Sequence, residues 1–408
     1  MKKCLYAASS KTFIIIGNFS TEIYLSYFFS LSGLSIIYFA LSNFTGLFLG
    51  IAVPIPLGKI LDTRNKKNIL IINQLLVSAL LFAVYLNFYF PLLILMYLVS
   101  VLLGLFGGIA YSTANSILRH LSDDVNTQSI NGYSEIFGQL PSIAGGLIFF
   151  LISGYINFKD SFLISSLIDL FSIPLILLIP YDSSIHLPVK SSGQKNDSID
   201  ATHRFALSNY PYLTVFVLIM NIPFVLVVTG NFLYPIYIVN ELHRGANFIA
   251  INDSIYGISA LSSGLVFPRI YSKYRGQKIY LLPFSLFSMG IFGIALTGSP
   301  MIFLSMSVFL GLGNGSSRIL RNTIIMKRIE NEFIGRYNTR ISSLVYVIRI
   351  ITLSFYLLCI TYISIDVAIY ANCLIIGILL SILLILDFRE DKMNNAKNYK
   401  MVKAFKKN

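Results

Sequence analysis

The sequence predicts an all-α membrane protein in which twelve transmembrane helices form two pseudo-symmetric six-helix bundles. Three observations carry that expectation. Apolar residues make up 55% of the 408-residue chain and charged residues only 12%, where an ordinary soluble domain carries about 25% charged. The apolar residues fall into runs long enough to cross a hydrocarbon core of about 30 Å at 1.5 Å per helical residue. Twelve such runs split six and six about a polar stretch from Tyr181 to Ser208.

Span one, 12–31, carries Glu22 and lacks a small-residue cleavage site, so it reads as a span and not a signal peptide. Span two, 36–57, runs into a charged turn; spans three and four, 69–88 and 91–117, meet at an aromatic cluster with Phe88, Tyr89 and Phe90. The chain has no Trp, so Tyr and Phe must supply the interfacial belts. Spans five and six, 129–153 and 161–180, close the first bundle. The stretch 181–208, with Ser183, Ser184, Pro188, Ser191, Ser192 and Gly193, is a flexible polar tether. Spans seven to twelve follow at 210–238, 249–268, 279–297, 301–325, 341–361 and 366–387. The expected organisation is a bundle over 1–180, a linker over 181–208, a second bundle over 209–388 and a basic tail over 389–408.

The net charge of +13 would suit a nucleic-acid binder, but its placement argues against one. With the N-terminus inside, tails and cytoplasmic loops hold 26 of the 31 Lys and Arg residues, and outer loops hold only Lys159 and Arg244. That asymmetry places both termini in the cytoplasm of a cell-membrane protein, with no nucleic-acid partner. Three scattered cysteines, Cys4, Cys359 and Cys373, are too few for a disulfide framework or metal site. The four histidines lack ligand spacing, and no Gly-rich loop ends in G-K-[ST]. No enzyme, no cofactor and no resident metal are therefore expected.

The two halves resemble each other. Leu103 to Gly108 in span four parallels Leu310 to Gly315 in span ten at an offset of 207, and Asn115 then falls on Asn322. The turn after span two recurs after span eight as Arg269 to Lys278, with Lys273 where Asp62 would stand.

The turn itself is Gly58-Lys59-Ile60-Leu61-Asp62-Thr63-Arg64-Asn65-Lys66-Lys67. Gly58 lets a neighbouring helix approach closely. Asp62, about one turn on, can face a helix N-terminus, where the macrodipole favours an anion. Arg64, Lys66 and Lys67 hold the loop inside. The stretch resembles the G-x-x-x-D-R-x-G-R-K signature of the major facilitator superfamily, with Gly58, Asp62, Lys66 and Lys67 in register. Arg64 stands one place late, and Asn65 replaces the second Gly. Gly335 and Arg336 resemble the segment that opens span eleven in that family. Pro141 with Gly145-Gly146 is similar to the bend of its drug antiporters, one residue longer. Ser100 stands where many proton-drug antiporters have Arg, which fits the macrolide-efflux-like branch better.

The resemblance implies a monomeric secondary transporter that alternates access around a central cavity lined mainly by spans one, four, seven and ten. An ionisable group at mid-membrane costs about 2.5–3.5 kcal/mol on insertion scales and marks a functional candidate. Glu22 is the carboxylate expected mid-span on a cavity-lining helix. Arg349 and Arg318 join it, with Asn18, Asn115, Asn231 and Tyr346 as polar lining. Arg321 is read as a cytoplasmic anchor, and Asp169, on a peripheral helix, as a packing group. Gly58, Asp62, Arg64, Lys66, Lys67, Glu135 and Arg340 form the expected cytoplasmic gate. The expected partners are protons, membrane lipid and a small-molecule substrate. Many aromatics and few fixed charges suggest efflux of amphiphilic compounds; uptake of a polar or anionic metabolite is the alternative.

The charge asymmetry yields a direct prediction. A cysteine placed at Ser191 reacts with an impermeant maleimide only after the membrane is opened; labelling of intact cells would place the linker outside.

Overall fold

The computed structural model describes residues 21–31, 33–52, 65–87, 92–120, 127–152, 155, 157–178, 210–273, 279–296, 298–329 and 331–383. Asn18, Gly58, Asp62, Arg64, the 181–208 linker and the 389–408 tail lie outside them. The side chains of Asn115 and Glu135 also lie outside the description, although their helices are inside it.

Among the described residues the chain is helical, with twelve helices in the order the hydropathy predicts. They are α1 (21–29), α2 (Gly33–Ala52), α3 (Lys66–Leu86), α4 (Leu92–His120), α5 (Thr127–Ile152) and α6 (Phe158–Leu177). The second half holds α7 (Pro211–Asn240), α8 (Ala246–Lys273), α9 (Leu281–Leu296), α10 (Pro300–Arg328), α11 (Asn331–Tyr362) and α12 (Ile365–Leu383). Seven are long and apolar enough to cross a membrane by length and composition. Backbone polar groups must be satisfied internally in hydrocarbon, and a helix does so within one segment. Large apolar side chains stand outward on many of them, including Phe48, Phe171 and Leu296. Such surface suits lipid and would be a liability in water.

Asn65, one of the two departures from the loop signature, has a local role. Its side-chain oxygen accepts the Lys67 backbone N–H at 2.9 Å and caps α3, satisfying a donor that a helix start leaves open. Lys67 then donates through Nζ to the carbonyl of Leu177 at 2.5 Å, placing a cation at the C-terminal end of α6, where the dipole favours it.

Helices α3 and α6 pack antiparallel along a polar seam. Ser78 and Ser166 bond each other at 2.9 Å. One turn away Gln74 donates to Asp169 Oδ1 at 3.2 Å and to Ser172 Oγ at 3.1 Å. Asp169 is fully buried there, a helix-pairing group as its peripheral span suggests.

In the second half the glycines of α10 explain the packing. A Cβ at Gly311 would lie 2.5 Å from the carbonyl oxygen of Tyr256 and 2.7 Å from Ser259 Cβ, both on α8. One at Gly313 would lie 2.5 Å from the Phe287 backbone nitrogen on α9. Alternate glycines therefore bring α10 into backbone contact with two neighbours at once, the close approach small residues permit in membranes. The parallel stretch in α4 does not repeat this: a Cβ at Gly104, Gly107 or Gly108 would meet open space.

The halves meet through small and aromatic contacts. Gly146 on α5 lies against Ser254 and the Ala250 carbonyl on α8. Phe39 on α2 packs against Phe232 on α7 with ring centroids 5.2 Å apart.

The two glycine stretches should respond differently to the same change. Gly311→Ala and Gly313→Ala each destabilise the detergent-solubilised protein by about 1–3 kcal/mol through overpacking, while Gly104→Ala and Gly108→Ala are neutral or slightly stabilising. Equal losses in both helices would refute the asymmetry.

Candidate functional site

A cavity of about 590 Å³ lies between the two halves, lined from α1, α2, α4, α5, α7, α8, α10 and α11. Among the described residues about half of its lining carries polar side chains, and three carry aromatic rings: Phe39, Tyr234 and Tyr256. Its shape has local causes. Pro235 cannot donate to the carbonyl four residues back, so the Asn231 carbonyl in the cavity wall lacks its helical partner. Tyr234 folds its ring over Gly230, where a Cβ would come within 2.7 Å, and meets Phe303 edge-on at 5.8 Å.

Among the described residues, three charged side chains line this cavity: Glu22 from α1, Asp253 from α8 and Arg349 from α11. Glu22 is exposed to the cavity space and Asp253 is half-buried. The two carboxylates are near enough to act on one another electrostatically. Asp253 is held in place: Asn252 Nδ2 donates to its Oδ1 at 3.3 Å, and Ser307 Oγ donates to Asn252 Oδ1 at 2.5 Å. A chain of neutral groups thus ties the carboxylate to α10.

Arg349 is positioned differently. Its guanidinium lies over the Tyr346 ring, 5.3 Å from the centroid, a cation–π geometry. The Tyr346 hydroxyl in turn lies beside Gly50 of α2. The buried Nε of Arg349 has no hydrogen-bond partner, and among the described residues the side chain makes no ion pair.

The structure therefore brings together Glu22, Asn231 and Arg349 from the residues the sequence singles out. Arg318 and Tyr346 do not line the cavity; Tyr346 supports Arg349 from behind. Arg321, expected to be an anchor, donates through a terminal guanidinium nitrogen to Asn221 Oδ1 of α7 at 2.5 Å. Asn221 is buried, so Arg321 clamps α10 to α7. Of the expected gate residues, Arg340 is exposed and Lys66 half-buried, and Lys67 serves α6.

Asp253 escaped the sequence reading because span eight was expected to open at 249, leaving it near a helix end. The helix opens at Ala246, so Asp253 sits about two turns inside. The adjacent Asn252 and Ser254 were the available signal: three polar residues in succession inside an apolar run.

The profile of the major facilitator superfamily matches residues 4–353 and again 226–405. The chain belongs to the major facilitator superfamily. It is a multi-pass membrane transporter and not an enzyme. Solved structures with the same fold include a mutant of the nucleoside transporter NupG, at TM-score 0.69 and 13% identity over 93% of this chain and 99% of that one. A D-xylose-proton symporter matches at TM-score 0.69 and 11% identity over 92% and 96%. A bacterial metal transporter matches at TM-score 0.59 and 12% identity over 93% and 98%. No curated protein is similar enough to count as a match.

The Arg321–Asn221 contact can be measured. Both single alanine variants lower stability, and a double-mutant cycle gives a coupling of about 1.5–3 kcal/mol, the range for a hydrogen bond to a charged group. Strictly additive losses would show that the contact contributes nothing.

Proposed function

We propose that this transporter carries a small polar solute by alternating access, coupled to protons, with Glu22 as the titrating group. The observation that carries the reading is the cavity itself, polar over about half its lining, with residues from both halves and two carboxylates unpaired with Arg349. A carboxylate in a cavity that opens to alternate sides can bind a proton on one side and release it on the other. Each elementary charge that crosses 100 mV supplies about 2.3 kcal/mol. Glu22 suits that role better than Asp253, because it faces the cavity without the tether that Asn252 gives its neighbour. The groups around it that bear charge or can lose a proton are Asp253, Arg349, Tyr234 and Tyr256. The nucleoside transporter and the sugar-proton symporter among its structural neighbours are compatible with a polar solute, although they are similar in fold alone.

The working protein is proposed to be a monomer in the cell membrane with both termini cytoplasmic. The 58–67 turn is proposed to act as the cytoplasmic gate, Asp62 holding α11 near Thr339 and Arg340 in the outward-open state. Export of amphiphilic compounds is the second reading. It is favoured by Pro141, which stands inside α5 and lines the cavity, and by Gly146, which presses on α8. A strain stripped of its own exporters separates the two: gained resistance to amphiphiles supports export, and gained use of polar nutrients supports uptake.

Glu22→Gln tests the coupling, since it keeps the shape and hydrogen bonding but cannot titrate. In proteoliposomes it is expected to retain solute counterflow while losing accumulation driven by a pH gradient. Gradient-driven transport at the wild-type rate would remove Glu22 as the proton site.

A further inference from the structure

The cavity separates its charges in a way that points to a substrate class. Glu22 lies seven residues from the end of α1, and Asp253 seven residues into α8, so both sit about 10 Å below the same face of the bundle. That these ends share a face is seen at a second, smaller cavity bounded by Leu31 after α1 and by Gly245 and Ala246 at the start of α8. Arg349 lies thirteen residues before the end of α11, about 20 Å from that face. The acidic level and the basic level are thus offset along the axis of one cavity, which accounts for the missing ion pair between them.

Each level is prepared to meet a charge. Asp253 is aimed by the Asn252–Ser307 chain, and Arg349 is backed by the Tyr346 ring with a buried Nε left open. A neutral sugar or nucleoside would leave both levels unmatched as the cavity loses water, and unpaired charges in a closed site are costly. A simple anion would satisfy Arg349 but meet two carboxylates; a simple cation would do the reverse.

We infer that the substrate is a zwitterion, its cationic end toward Asp253 and its anionic end toward Arg349, with Glu22 left to carry the proton. This rests on the reading of the cavity as the transport site.

The test is counterflow in proteoliposomes with glycine, 4-aminobutyrate and glycylglycine as zwitterions of increasing length. Each is paired with its amide, which lacks the anion, and its N-acetyl form, which lacks the cation; uridine and xylose are the neutral solutes. At least one zwitterion exchanges, and both of its single-charge derivatives exchange about tenfold more slowly or worse, as loss of one charged partner in a desolvated site requires. Arg349→Gln removes the preference over the amide alone, and Asp253→Asn removes the preference over the N-acetyl form alone. Those opposite selectivity changes are ones that misfolding cannot mimic. Exchange of uridine or xylose without any zwitterion overturns the inference and leaves polar-solute transport standing. Exchange of no solute by a protein that melts cooperatively overturns both.

Discussion

Housing an ionised side chain inside a bilayer costs several kcal/mol unless it reaches water or a partner, and the arrangement of this bundle follows from where its charges are housed. Asp169 is buried between two peripheral helices and accepts from Gln74. Arg321 bonds Asn221 across α7 and α10. Glu22, Asp253 and Arg349 share one cavity between the halves. The first two arrangements fasten helices within a half. The third leaves charge facing open space, and that difference, more than depth in the membrane, sets the proposed transport residues apart from the packing groups.

The fastenings are unequal in the two halves. Gly311 and Gly313 seat α10 backbone to backbone on α8 and α9, and Tyr356 bonds Asn372 across α11 and α12 at 2.7 Å. In the first half the α4 glycines meet no neighbour among the described residues, and Gly104 opens onto the cavity. The same small-residue motif therefore tightens one half and widens the cavity wall in the other. Where the halves touch, at Gly146 against α8 and Gly50 against Tyr346, small residues face their neighbours. Surfaces of that kind carry the small sliding movements by which packed helices shear.

Much of this was legible in the sequence. Apolar runs locate helices in a membrane because length and hydropathy are set by the bilayer itself. Among the described residues most helix ends fall within a few residues of the expected spans. The largest exception is α11, which opens at Asn331 where 341 was expected, because its first turns are polar and hydropathy does not mark them. Glu22 and Arg349 were legible for a related reason: a charge inside an apolar run has few tolerable environments. Asp253 was hidden by a helix boundary misplaced by three residues. The second role of Lys67 was hidden because a basic residue in an inside loop is already explained by topology, and nothing local reveals that the end of α6 lies within reach. The internal repeat was legible, but its meaning was not. Sequence parallel between α4 and α10 carries no information about which neighbour each glycine meets.

The unpaired state of the cavity charges bears on how transport can be obligatorily coupled. While the cavity holds water, Glu22, Asp253 and Arg349 are solvated and their separation costs little. Closing the halves around them expels that water, and each charge then needs a partner or must be neutralised. In the proposed cycle a proton on Glu22 removes one obligation, and a solute that pairs with Asp253 and Arg349 removes the others. In that cycle the occluded state is accessible only when proton and solute are both bound, or when neither charge level is left uncompensated by some rearrangement of Arg349 toward the carboxylates. The second route would be the return step of the empty carrier. It asks Arg349 to leave the face of Tyr346, and the open space beside its guanidinium is where such a movement would go.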